Sequence, residues 1–113
     1  MRRSDLGEFE ELVLLSVAVL TPSAYSVAVA EHLELQTGKT ITTGAVHSAL
    51  QRLEKKGYLE SAMGEASKAR GGRRKRLFTV TMLGSKMLHS VKDIRDNLWS
   101  SMGPQSLPNL STN

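Results

Sequence analysis

The chain has no cysteine among its 113 residues, so disulfides and thiolate metal sites are excluded and a reducing compartment is the default. Only five residues are aromatic, and none of them lies in the most basic stretch, which disfavours recognition by stacking on unpaired bases. No apolar run approaches the ~18 residues that would cross a membrane. Two arginines open the chain, but Glu8, Glu10 and Glu11 follow in place of the apolar core and cleavage site of a signal peptide. The expectation is a cytoplasmic protein without a membrane partner.

Catalytic signatures are missing too. The three histidines, His32, His47 and His89, fall on three separate predicted helices, with no HExxH or paired spacing for a metal. There is no Gly-x-Ser-x-Gly elbow, and Gly71-Gly72 lacks the spacing and the Lys-Ser/Thr ending of a phosphate-cradling loop. Neither an enzyme nor a cofactor or metal site is expected.

What the chain does have is a confined positive charge. The net charge is +4. Residues 1–38 carry two basic against six acidic residues, or −4; residues 39–76 carry ten against three, or +7; residues 77–113 carry three against two, or +1. Six of the nine residues from Lys68 to Arg76 are basic, so the field is concentrated between two strand-like segments, as polyphosphate binding requires.

Apolar periodicity predicts a helix over 6–20, with Phe9, Leu12, Val13, Val17 and Leu20 in phase and Leu14, Leu15 and Val19 spilling onto other faces. A helix this apolar in so short a chain needs a second covering surface, which a partner copy would provide. Pro22 ends it. Ser23 is the expected N-cap of a second helix over 24–37, with Val27, Ala30 and Leu33 inward, Glu31 and Glu34 outward, and Gly38 as the stop.

Thr42 caps a third helix, 42–56, whose Val46, Leu50 and Leu53 form one narrow apolar face. Opposite lie Gly44, Ser48, Gln51 and Lys55, flanked by His47 and Arg52. Small side chains let a helix backbone sit deep in a groove, and a glutamine amide can pair with a base edge. Gly57 closes this helix. Strands over 58–63 and 77–81 follow, joined by the basic loop Lys68–Arg76. In that loop Gly71-Gly72 lets the backbone approach a phosphate and the arginines offer forked donors. Thr81 caps a final helix, 82–102, with Leu83, Met87, Val91, Ile94, Leu98 and Met102 on one stripe. At about 30 Å it is longer than the small domain can cover, which again argues for a second copy. Gly103-Pro104 stops it, and 103–113 reads as a flexible tail. Trp99 packs in a dimer core, anchors exposed against the first helix, or pairs with its copy at the two-fold axis to form a flat aromatic slot for a planar ligand.

The order helix–helix–helix–hairpin–helix is that of a winged helix-turn-helix, so the fold expected is mainly α with a small β-hairpin: a DNA-binding unit over 1–81 and a dimerisation helix over 82–102. In Leu6-Gly7-Glu8-Phe9-Glu10, Leu14-Leu15, Tyr25-Ser26-Val27, Gly44-Ala45-Val46-His47, Leu50 to Leu59, Arg70-Gly71-Gly72-Arg73 with Lys75-Arg76, and Val80-Thr81 with Gly84, the chain resembles the PadR family of bacterial transcriptional regulators, in its short form with one C-terminal helix. It departs at His47, where the family usually has Tyr, and at Ser26, where it usually has Gly.

The resemblance implies a homodimer joined through the first and last helices, acting on double-stranded DNA as a repressor-type regulator. Some relatives are released by phenolic acids or drug-like aromatics bound near the dimer interface, so a small aromatic effector is implied as an option, with Trp99 as its contact. The residues expected to meet DNA are Thr42, Thr43, Gly44, His47, Ser48, Gln51, Arg52 and Lys55 on the helix. Arg70, Gly71, Gly72, Arg73, Arg74, Lys75 and Arg76 are expected to do so in the wing. Those expected in the dimer interface are Phe9, Val13, Leu83, Met87, Val91, Ile94, Leu98, Trp99 and Met102. The alternative is an RNA-binding or protein-interaction module using the same basic hairpin.

Overall fold

A computed structural model describes residues 6–64 and 74–110. The elements run α1 (Glu8–Leu20), α2 (Ser26–Thr37), α3 (Thr43–Lys55), β1 (Leu59–Met63), β2 (Arg76–Val80) and α4 (Met82–Ser101). The three N-terminal helices surround a core of Val13, Leu14, Val17, Val29, Leu33, Val46, Leu50 and Leu53, which Tyr58, Leu59 and Phe78 extend towards the hairpin. None of the described helices is long and apolar enough to cross a membrane.

The buried residues of α1 are Glu10, Val13, Leu14, Ser16 and Val17, with Phe9 and Leu20 packed against the core; of the expected stripe only Leu12 is left exposed, and Leu15 and Val19, expected on other faces, are exposed as well. At its end Thr21 turns to an extended ψ of 132° before Pro22, and its hydroxyl donates to the Val17 carbonyl at 2.7 Å. The second helix begins at Ser26, two residues later than expected, after Tyr25 and not Ser23. The cause is tertiary. The Ala24 carbonyl accepts the Phe78 N–H at 2.9 Å, and Ser23 N–H closes a turn onto Leu20 at 2.7 Å, so these residues serve the connection to the wing. Ala30 and Leu33 lie inside as expected, but Val27 is exposed and Val29 takes its place in the core. Glu34, expected to face solvent, instead accepts the Ile41 N–H at 2.9 Å and secures the segment entering α3. Gly38 stops α2 at φ 71°, a conformation open to glycine at little cost.

Thr42 caps α3 as its side chain predicts, accepting the Ala45 N–H at 3.1 Å. Leu59 pairs with Val80 and Met63 with Arg76 in an antiparallel two-stranded ladder. A tight knot then fixes where α4 departs. Thr81 donates its hydroxyl to Gly57 O at 2.6 Å and its N–H to Tyr58 O at 3.0 Å, and its oxygen accepts the Gly84 N–H at 3.0 Å. Gly84 lies so near the chain that a Cβ there would stand 2.3 Å from the Tyr58 carbonyl oxygen. Beyond Gly84, its one buried residue, α4 runs out over the surface. The radius of gyration, 17.1 Å, exceeds the roughly 13 Å of a compact chain this long.

Candidate nucleic-acid interface

The exposed side of α3 is built by its buried side. Val46, Ala49, Leu50 and Leu53 are fully buried, which pins the rotation of the helix about its axis. That rotation turns Thr43, Gly44, His47, Ser48, Gln51 and Lys55 to the exposed side, and Thr42 is exposed at the cap. A solvent-facing helix ordinarily carries long charged pairs. This one offers a glycine, hydroxyls, an imidazole and an amide, a surface that is low in profile and able to donate and accept hydrogen bonds.

Arg52 flanks this face and is held from behind. Its Nε donates to Glu10 Oε2 at 2.7 Å, while Lys56 Nζ donates to Glu10 Oε1 at 2.8 Å. The Glu10 carboxylate is 9 % exposed. Burial alone would raise its pKa. The hydrogen bonds from Lys56 and Arg52, helped by the Gly7 N–H, outweigh burial and hold it below the ordinary glutamate value. Sequence reasoning treated Arg52 as a simple DNA contact and assigned Glu10 nothing. The signal was present: Glu10 shares the face of Val13, Leu14 and Val17, and an acid in a buried stripe requires cations.

The wing is also anchored through its charges. Arg74 Nε donates to Gly64 O at 2.8 Å and Arg76 Nη1 to Ser61 Oγ at 3.0 Å. The Lys75 ammonium sits 4.1 Å from the centre of the Tyr25 ring, a cation–π contact that joins the wing to the start of α2. Arg70, Gly71, Gly72 and Arg73 lie outside the described residues. Tyr25 was missed as a wing support because its partner is 50 positions away and strand register decides the contact.

The residues expected at a dimer interface divide. Leu83, Ile94, Leu98 and Trp99 are exposed, at 52, 52, 65 and 66 %. Met87, Val91 and Met102 are half-buried, and so is Phe9, which packs on the core. Val13 is corrected: it is completely buried inside its own protomer, because α1 turns Val13 rather than Leu12 towards α2 and α3. In the second half of α4, Arg95 Nη2 donates to Glu11 Oε1 on α1 at 2.8 Å. Beside that pair a cleft of about 450 Å³ opens between the two helices, lined by Leu15, Leu88, His89 and Trp99 among others. Among the described residues no cluster of His, Asp or Glu could hold a metal ion.

Three helices, a short turn between the second and third, and an antiparallel hairpin with cations at its base define a winged helix-turn-helix. A family model for the transcriptional regulator PadR-like family matches residues 14–90, and the chain belongs to that family. Solved structures agree on the fold. A Streptococcus transcriptional regulator superposes with a TM-score of 0.67 at 22 % identity, over 82 % of this chain and 86 % of its own. A PadR-like regulator from Bacillus cereus gives 0.67 at 17 %, over 82 % and 85 %. A PadR-family regulator from Eggerthella lenta gives 0.64 at 24 %, over 90 % and 88 %. No match was found among curated proteins. The chain is a DNA-binding transcriptional regulator of this family.

Proposed function

We propose that the chain acts as a homodimer that reads a palindromic operator and represses transcription from it, with α3 in the major groove and the basic wing on the phosphate backbone. The observation that carries this reading is the two-sidedness of α3. One face is completely buried, and the opposite one is small, polar and exposed, next to a wing that concentrates the positive charge of the chain. Thr43, His47, Ser48 and Gln51 meet base edges; Lys55, Arg70, Arg73, Arg74, Lys75 and Arg76 meet phosphates.

The dimer is supported by α4. Its apolar stripe leaves Leu83, Ile94 and Leu98 uncovered, and Leu12, Leu15 and Val19 on α1 add to the unburied apolar surface. The domains follow from this division: the reading head to about residue 81, then the helix that joins two heads. The cleft between α1 and α4, with Trp99 at its edge, suits a planar aromatic effector whose binding alters the joint and releases DNA.

Selection of duplexes from a random pool tests the reading, with an inverted repeat expected among the bound fragments. A pool that yields none argues against paired reading heads. Titration with planar aromatics, followed by Trp99 fluorescence, tests the effector; an unchanged spectrum across the series removes it.

A further inference from the structure

The acid at the centre of the α1–α3 contact does more than neutralise a buried charge. Glu10 uses one oxygen for Arg52 and the other for Lys56, at 2.7 and 2.8 Å, so its geometry is fixed at both ends. The third residue of α1 thereby grips the C-terminal turn of α3. Arg52 gives Glu10 the Nε side of its guanidinium, and about half of its side chain (51 %) stays exposed beside Ser48 and Lys55 on the reading helix. An arginine held this way has lost its rotamer freedom before any ligand arrives, which removes an ordering cost from binding.

We propose that Glu10 is a positioning residue for DNA binding. It holds Arg52 so that the outward edge of the guanidinium meets a backbone phosphate at the end of α3, in a carboxylate–arginine–phosphate relay. The inference rests on the docking of α3 into duplex DNA proposed above. It assigns Arg52 a role that suits the planar guanidinium, whose edges present donors in different directions, whereas the three donors of a lysine ammonium converge on one nitrogen. The contact positions the helix without reading sequence, so its loss weakens binding to all duplexes alike.

The test is a double-mutant cycle on duplex affinity at fixed salt, using the full-length chain at a temperature where circular dichroism shows each variant folded. Glu10→Gln and Arg52→Ala are each expected to weaken binding about tenfold. Combined, they should weaken it no further than Arg52→Ala alone. If Glu10 served only to hold the fold together, Glu10→Gln would weaken binding equally with and without Arg52, and additive losses overturn the relay. Should Glu10→Gln fail to fold, the half-exposed Arg52 decides: Arg52→Lys must lose as much affinity as Arg52→Ala, and a lysine variant that binds like the wild type overturns the proposal. A wild-type chain that ignores duplex DNA in dilute salt would instead defeat the docking of α3 itself.

Discussion

Glu10 and Gly84 show how single residues hold the reading head in place. Because partners depress the folded-state pKa of Glu10, its contribution is complete above the unfolded carboxylate value of about 4.3 and is lost as pH falls through the lower folded value. The melting temperature of the wild type should therefore fall on acidification below about pH 4.5 more steeply than that of Glu10→Gln, which has no such group to titrate. Parallel curves would show that the ion pairs contribute nothing. Gly84 acts by having no side chain. Alanine normally gains helix stability over glycine, but here its methyl would meet a backbone oxygen at 2.3 Å. Gly84→Ala should thus destabilise the chain by about 1–3 kcal/mol, the usual range for overpacking, measurable by urea unfolding. Gly84 was legible in the sequence as part of a family pattern, but its reason was not, since the oxygen it approaches belongs to a turn 26 residues earlier.

Among the elements, α3 was the most legible. A strong cap, a narrow apolar stripe and a closing glycine agree with one another, and nothing in the tertiary structure overrides them. Its two faces should separate in experiment. Leu50→Ala removes a fully buried side chain and should cost about 2–5 kcal/mol of stability. Gln51→Ala, on the exposed face, should leave the melting temperature unchanged and shift which bases are preferred at one operator position, as seen in a repeated selection. Helices α1 and α2 were less legible. Helix α1 carries apolar residues on more than one face, so periodicity admits both Leu12 and Val13 to the inward stripe, of which the structure buries only Val13. The start of α2 was misread because Ala24 is drawn away by a hydrogen bond from Phe78. The wing could be read from composition as far as its charge. Its anchoring on Tyr25, Ser61 and Gly64 depends on strand register, which local sequence does not fix.

For the whole molecule, the distinctive feature is a reading head with a complete core attached to a helix without one. Only Gly84 of α4 is buried, while Leu98 and Trp99 stay about two-thirds exposed. A second copy would cover that stripe and set the spacing of the two heads. Replacing Leu98 by glutamate should give monomers in sedimentation at micromolar concentration, with the core intact because Leu98 lies outside it. The positive third of the chain adds a salt signature. A single Arg74→Ala, present twice in a dimer, should lower the slope of log affinity against log salt by about 2 for all sequences.

The most direct measurement of paired reading heads is affinity against half-site spacing. Two copies joined by α4 require half-site centres about one helical turn, 10–10.5 base pairs, apart or a multiple of it. Inserting about five base pairs between the halves of a selected operator rotates one half-site to the opposite side of the duplex. The expected result is two chains per operator at the natural spacing and loss of tight binding at the altered one. Equal affinity at both spacings, or one chain per duplex, would contradict it.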